Sequence, residues 1–258
     1  MINIWDLLVI KPLTFIINSI YSVVPNYGWT IILFTLAVKL ILIPLNVKSQ
    51  RAMKKQQKIQ PIIAQLQKKY ENDKEKLQME MMKVYRENNV SMMGGCLPML
   101  IQMPILIGLY RVIINMSKDT SMNFGFMGMD LSKIPSAAIN ALVKGNFTDI
   151  GILLLILIPA SAIFTSWLSI KVTQLKQPNG SAQDQAAQMT SSMNLMMPIM
   201  TGFFTLTLPA GMGLYWTASN VFQIIQHIVL DKILEKEGDT IDVKLPEPNR
   251  KHSKKRKK

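Results

Sequence analysis

One segment near the C-terminus of this 258-residue chain limits its possible folds more than any other feature. Met193–Leu230 runs for 38 residues without Asp, Glu, Lys or Arg. A single helix of that length would extend about 57 Å, far beyond the ~30 Å hydrocarbon core of a bilayer. The Pro and Gly residues between Leu208 and Gly213 predict a turn at its middle. The segment therefore predicts two membrane-spanning helices of about 16–18 residues each, joined by a tight turn.

Three other apolar segments predict three further spans, at Trp29–Val47, Met93–Asn115 and Ile150–Ile170. Only one charged residue, Lys39, lies in the first of these spans, and the third contains none. Residues 1–24 are less apolar and are interrupted by charged residues and a proline, which predicts an amphipathic helix in the membrane interface. A sixth span is the alternative for that segment.

The polar segment between the first two spans, residues 48–92, predicts a helical hairpin. Two sets of apolar residues repeat at helical spacing: Ile59, Ile62, Ile63 and Leu66, and then Leu77, Met81, Val84 and Tyr85. Asn72 and Asp73 between them indicate a turn, and Pro61 is expected in the first turn of the first arm. The predicted fold class is an all-α integral membrane protein with five transmembrane helices, an N-terminal interfacial helix and a cytoplasmic helical hairpin.

The distribution of Lys and Arg predicts the orientation in the membrane. The segment 48–92, the loop between the third and fourth spans and the tail after Leu230 together carry 23 of the 29 basic residues. The opposite side carries four, and two lie within spans. Because cytoplasmic loops are enriched in Lys and Arg, the N-terminus is expected outside and the C-terminus in the cytoplasm. The expected units are residues 1–24, a five-span core 25–232, and a disordered basic cytoplasmic tail 233–258.

The residue types argue against enzymatic chemistry. The chain has two histidines, one cysteine and no phosphate-binding or dinucleotide-binding glycine motif, so we expect no enzyme activity, no cofactor and no metal site. The predicted spans contain no Asp or Glu, which argues against a proton-coupled or cation-coupled transporter. The net charge of +13 has three possible explanations, which are binding to anionic lipid, binding to nucleic acid, and retention of basic loops in the cytoplasm.

Lys39 is the most informative residue because it lies about 15 Å into its span, too deep for easy contact with the interface. A cation at that depth predicts a hydrated polar groove, with a misplaced helix boundary as the alternative. Other spans supply polar residues for such a groove, and the whole predicted set is Lys39, Gln102, Ser161, Thr165, Trp216, Asn220 and Gln223. Trp216, Asn220, Gln223 and His227 share one helix face by their spacing. Ordinary hydrogen bonding between helices is the alternative for each polar residue.

Four strings resemble the YidC family of membrane protein insertases. They are the first span from Trp29 through Lys39 and Pro44, the hairpin segment from Lys58 to Asp73, the second-span string Gly95–Ile105, and Leu214-Tyr-Trp-Thr-Ala-Ser-Asn220. The likeness covers residues 20–232. The resemblance implies a five-span core around a hydrophilic groove that is open to the cytoplasm and to lipid and closed outside. It also implies nascent membrane proteins as substrates, membrane lipids as surroundings, and insertion without nucleotide hydrolysis.

Two departures from the family pattern are visible. The groove cation of the family is usually Arg, whereas this chain has Lys39, which preserves the charge but not bidentate hydrogen bonding. The chain also lacks the large extracytoplasmic domain of Gram-negative members, so we expect a short, Gram-positive-type member in the plasma membrane. The sequence leaves open whether it works with the Sec translocon.

The basic tail has two interpretations. It ends with seven cations and no acid: Arg250, Lys251, Lys254, Lys255, Arg256, Lys257 and Lys258. Contact with anionic lipid is one interpretation. The family resemblance implies the other, docking to the ribosome. A small-solute transporter and a membrane-anchored nucleic-acid-binding protein are the rival functions, but the first would show internal repeats or coupling carboxylates and the second would not need a polar groove.

Overall fold

The computed structural model describes residues 5–90, 97–116, 122–145, 150–174 and 185–236, and these are almost entirely helical. A π-helical stretch, Asp6–Ile10, leads directly into α1. The helices are α1 (Lys11–Val23), α2 (Tyr27–Ile41), α3 (Ile43–Lys69), α4 (Lys74–Glu87), α5 (Leu97–Met116), α6 (Pro135–Val143), α7 (Ile150–Gln174), α8 (Gln185–Thr207) and α9 (Ala210–Lys236). Two short strands, β1 (Gly125–Phe126) and β2 (Met129–Asp130), pair antiparallel.

The first predicted span does not continue as one helix to Val47. The chain breaks at Leu42, where the axes of α2 and α3 meet at 63°. Pro44 lies in the first turn of α3, where its missing N–H needs no partner, but its ring would clash with the preceding turn of a continuous helix. The prediction of a single helix is therefore wrong beyond Ile41, and the rest of that segment starts α3 instead.

The predicted position of Pro61 in a first turn is also wrong. It lies inside α3, which begins 18 residues earlier because the end of the first predicted span and the first hairpin arm form one helix. Pro61 is exposed, and its missing N–H leaves the carbonyl group four residues earlier without its helical hydrogen bond.

The helices α3 and α4 have a core of their own. Residues 70–73 reverse the chain, and the Asp73 side chain accepts a 3.1 Å hydrogen bond from the Lys76 backbone N–H, which caps α4. The same bond lowers the pKa of the Asp73 carboxyl. The buried residues of this core are Ile59, Ile62, Ile63, Leu66, Val84, Tyr85 and Val90. The larger core of the protein contains none of these described residues, so the α3–α4 unit is packed separately.

The larger core is centred on α2, α7 and α9. Its fully buried side chains include Tyr27, Phe34, Leu109 and Tyr215. Helix α1 packs on α2 and α5. At the α5 contact a Cβ atom on Gly108 would lie 2.6 Å from Leu13 Cδ1, so glycine permits the close approach of the two helices.

The predicted turn between the last two helices is confirmed, since only Leu208 and Pro209 separate α8 from α9. Both helices are longer than the predicted 16–18 residues, with 23 residues in α8 and 27 in α9. Charged residues such as Asp231 end the apolar segment but do not stop a helix, because backbone hydrogen bonding continues without regard to side-chain charge.

A β-hairpin between α5 and α6 was not predicted. Its two central residues, Met127 and Gly128, have φ angles of 50° and 83°, which is the combination of a type I′ turn. Met in the first of these positions gives no turn signal, so the sequence does not predict this hairpin.

Two of the described helices, Asp6–Val23 and Ile150–Thr173, are long and apolar enough to cross a membrane alone. A third span results if the bent pair α2 and α3 is counted as one. Gln102–Met116 and Met196–Thr207 are shorter apolar helices. The length and hydropathy of Asp6–Val23 fit the alternative of a sixth span, and the interfacial placement of residues 1–24 stays a prediction.

Candidate polar groove

The polar residues predicted on one face of α9 contact different neighbours. The Trp216 ring stacks on Phe204 of α8, with 6.1 Å between the ring centroids. Asn220 Nδ2 donates a 3.3 Å hydrogen bond to Thr165 Oγ1 of α7. The Gln223 side chain is exposed. Trp216 and Asn220 therefore lie along the junction of α9 with α7 and α8, whereas His227, on the same predicted face, contacts Gln50 of α3.

Ser161 and Thr165 form the α7 side of that junction. Ser161 Oγ lies 3.0 Å from Thr217 Oγ1 of α9, one helical turn away from the bond between Thr165 and Asn220. Each Thr hydroxyl also donates to a carbonyl of its own helix, at Ser161 and Gly213 respectively. These side chains have partners within the junction, so the arrangement supports the alternative of hydrogen bonding between helices.

Gln102 contacts a residue of α9 that is not in the predicted groove set. Its Nε2 donates a hydrogen bond to the hydroxyl of Tyr215. Tyr215 precedes Trp216, so its side chain projects about 100° further round the helix. The buried Ser219 and partly buried Gln226 follow at four and eleven residues, which places them on the same face as Tyr215. The spacing of Tyr215, Ser219 and Gln226 is the sequence signal for this second polar face.

Lys39 lies on the α2 face that is turned towards α9. Ile32, seven residues earlier and therefore on the same face, lines a recess of about 210 Å³ with residues of α9 that include Leu214 and Phe222. Lys39 is partly exposed and, among the residues that the structure describes, forms no salt bridge. Because Lys39 has no acidic partner in the described part of the chain, its charge is available to an acidic group of another molecule.

A second polar contact lies seven residues beyond Lys39. Asn46 Nδ2 donates a 3.1 Å hydrogen bond to Gln226 Oε1 of α9. The other amide atom, Gln226 Nε2, is buried and has no hydrogen-bond partner in the described ranges. Along the chain, Lys39 thus lies between Ile32, which lines the recess, and Asn46, whose partner Gln226 can donate one more hydrogen bond.

The opposite end of α2 and α9 is closed by the segment 122–133. Backbone carbonyls of Asn123, Leu131 and Lys133 accept from the N–H groups of Tyr27, Gly211 and Ala210, the first residues of the two helices. Phe126 fills the space over Gly28, where a Cβ atom would lie 2.2 Å from the ring. Helix N-termini normally need such partners, and here the loop supplies them for the first residue of α2 and the first two of α9.

Some predicted features lie elsewhere. The seven basic residues of the predicted ribosome-binding tail are outside the described residues. Within the described part of the chain, no group of three His, Cys, Asp or Glu side chains is placed to hold a metal ion.

Comparisons with known proteins agree on one family. The family model described as the 60Kd inner membrane protein matches residues 19–237. The membrane protein insertase YidC of Clostridium perfringens is 41% identical over 208 residues, which cover 81% of this chain and 79% of the relative. The YidC protein of Clostridium tetani is 35% identical over 217 residues, covering 84% and 87% of the two chains.

A solved structure has the same fold. The crystal structure of an active YidC insertase with its first transmembrane domain resolved matches with a TM-score of 0.60 and 27% identity. The match covers 86% of this chain and 46% of that protein.

Proposed function

The chain belongs to the YidC family of membrane protein insertases, and we propose that it receives nascent membrane segments in a positively charged polar groove and releases them into lipid. The observation that carries this proposal is the position of Lys39, in a helix without acidic residues and between the Ile32 recess and the Asn46–Gln226 contact. We assign the groove to the space between α2, α5 and α9, with the hydrogen bond from Gln102 to Tyr215 where α5 meets α9.

The proposed topology has five spans, formed by α2, α5, α7, α8 and α9. The N-terminus lies outside, the α3–α4 unit and the C-terminus lie in the cytoplasm, and residues 1–24 lie in the outer interface. The asymmetry of Lys and Arg supports this orientation. The 63° bend at Leu42 supports it too, because it turns the polar helix α3 away from the direction of the span.

The mechanism follows from the cost of moving charge across lipid. An acidic residue at the centre of a membrane costs about 2.5–3.5 kcal/mol on insertion scales. A groove with Lys39 in the last turn of α2 offsets part of that cost for the acidic flank of a client. The apolar part of the client then moves into lipid, which gains about 25 cal/mol for each Å² of apolar surface removed from water. No step needs nucleotide hydrolysis, so we propose a non-enzymatic insertase.

The proposed partners follow from the same arrangement. Nascent membrane proteins would occupy the groove, and membrane lipids would surround it and receive the client. The basic tail, residues 250–258, would dock the ribosome near the cytoplasmic mouth of the groove. Action with or without the Sec translocon is compatible with these residues.

Reconstitution tests the proposal directly. Purified protein in lipid vesicles should insert a small client that carries an acidic flank, measured by its protection from protease. Lys39→Arg should keep this activity, whereas Lys39→Glu should lose it because the groove then repels the client. The matched control is Lys144→Glu, which reverses an exposed charge in the loop before α7. Insertion by Lys39→Glu at the wild-type level would refute the role of the positive charge.

A further inference from the structure

Three side-chain pairs join α3 to the last turns of α9. Asn46 bonds to Gln226, Gln50 Nε2 lies 2.6 Å from His227 Nδ1, and Lys54 Nζ lies 2.6 Å from Asp231 Oδ1. The α3 residues are spaced by four, so they form one stripe along the helix. Gln50 Nε2 and Lys54 Nζ also donate to the backbone carbonyls of His227 and Asp231, at 3.2 and 3.4 Å. We call these three pairs the α3–α9 ladder.

The ladder occupies a place where apolar packing is weak. Beside it, a cleft of about 240 Å³ separates α3 from α7 and α9, and the ladder residues Gln50, Lys54, His227 and Asp231 contribute to its wall. The buried apolar side chains of the α3–α4 unit all come from residues 59–90, beyond the ladder. The position of α3 against α9 therefore depends to a large extent on directional polar bonds.

Of the three pairs, the ion pair is expected to contribute most to the contact between α3 and α9. The Lys54 and Asp231 side chains are 21% and 16% exposed. Water screens such a pair less than it screens a fully exposed one, whose contribution is usually small. Two like charges at this separation would repel, so reversal of either charge should push α3 and α9 apart.

We infer that Lys54 and Asp231, with the two rungs nearer the bend, are positioning residues that hold the α3–α4 unit against α9 at a fixed angle. The bend at Leu42 is the pivot, and Lys39 lies three residues before it. The ladder thereby sets the width of the cytoplasmic mouth through which a client reaches Lys39. This consequence rests on the proposed function, whereas the positioning itself does not.

A cysteine pair in the first rung reports the position of α3 without any client. The full-length protein carries Cys96→Ser, Asn46→Cys and Gln226→Cys, is purified in detergent, and is treated with a short bifunctional thiol crosslinker. We expect efficient crosslinking in this parent protein. Lys54→Asp should lower the crosslinking yield, because a loss of about 1 kcal/mol lowers the ratio of docked to undocked protein roughly fivefold. The double reversal Lys54→Asp with Asp231→Lys should restore the yield, because the pair is then attractive again.

Two further measurements make the test selective. Lys68→Asp reverses an exposed lysine at the end of α3 and should leave the yield unchanged. Lys54→Gln removes charge without repulsion and should lower the yield less than Lys54→Asp, which keeps the test valid if the reversed variant folds poorly. Client insertion is measured separately in variants that retain Asn46 and Gln226, and should follow the same order.

The outcomes separate the two proposals. An unchanged yield in Lys54→Asp, or a double reversal as poor as the single one, would overturn the ladder as a positioning device. A wild-type protein that inserts no client in vesicles, while the crosslinking order holds, would support the ladder and refute the proposed function.

Discussion

Replacement of Gly28 by alanine tests how the N-terminal end of α2 is closed. A Cβ atom on residue 28 would lie 2.2 Å from Phe126 Cδ2, 2.3 Å from Cγ and 2.8 Å from Cβ. Rotation of the ring could relieve the first contact, but Phe126 Cβ is fixed by the backbone of the β-hairpin. The hairpin would have to shift, and with it the edge-to-face contact of Phe126 with Trp29, whose ring centroids are 5.8 Å apart.

The expected size of the effect follows from that overlap. Overpacking of this kind usually costs about 1–3 kcal/mol. For a chain of this length, such a loss corresponds to a fall of roughly 2–12 °C in melting temperature. Phe126→Ala alone should also destabilise, because it removes a buried ring. In the double variant the two shortest contacts no longer exist. Its loss of stability should therefore be smaller than the sum of the two single losses by about 1 kcal/mol or more.

Thermal unfolding in detergent, followed at one heating rate by the fraction of monodisperse protein, measures these differences. Gly125→Ala is the matched control in the same hairpin, since its Cβ would meet only Asn123 Oδ1, at 3.0 Å. That variant should melt close to the wild type. If Gly28→Ala also melts like the wild type, or if its effect adds fully to that of Phe126→Ala, the proposed packing of the hairpin on α2 is refuted.

Three other predictions concern the groove, the N-terminal helix and the tail. In a Cys96→Ser background, cysteine at Gln102 should react with a water-soluble thiol reagent from the cytoplasmic side. The proposed topology exposes Leu157 to lipid, so cysteine at that position should not react. Equal protection of both would indicate a dry bundle. Cysteine at Lys11 should react from outside intact cells if α1 lies in the outer interface, and protection there would favour a sixth span. Deletion of residues 246–258 should reduce co-sedimentation with ribosomes in neutral detergent, and equal binding of the truncated chain would place the docking site elsewhere.

The sequence predicts the location of the apolar helices better than their ends. Runs without charge can be counted, and α7 and the turn between α8 and α9 fall where the counting placed them. Prolines are harder to interpret, because Pro44 coincides with a break whereas Pro61 lies within a continuous helix. The difference depends on the position of each proline in the helix and on its access to water, and neither is visible before the helix itself is defined.

Residue type predicts which side chains belong to the candidate groove, but the sequence only partly predicts which helix each side chain contacts. Lys39 and Gln102 were identified because a charge or an amide is unusual in an apolar segment. Tyr215 was missed, although it bonds to Gln102, because an aromatic ring is ordinary in such a segment. Asn46 and Gln226 were missed because their contact joins two helices that are 180 residues apart in the chain. Family membership is confirmed, and the roles of the individual groove residues stay predictions.

The two ends of the α2–α9 pair differ in a way that suggests a direction of access. At the N-terminal end of the two helices, loop carbonyls accept hydrogen bonds from the N–H groups of Tyr27, Ala210 and Gly211. At the other end, Gln226 Nε2 is buried with no partner among the described residues. An unsatisfied buried donor costs about 1–3 kcal/mol, so an acceptor brought to this group would recover that cost. Under the proposed function, a client that approaches from the α3 side would offer this donor an acceptor, whereas a client from the opposite end would first have to displace a loop that is hydrogen-bonded to the first residues of both helices.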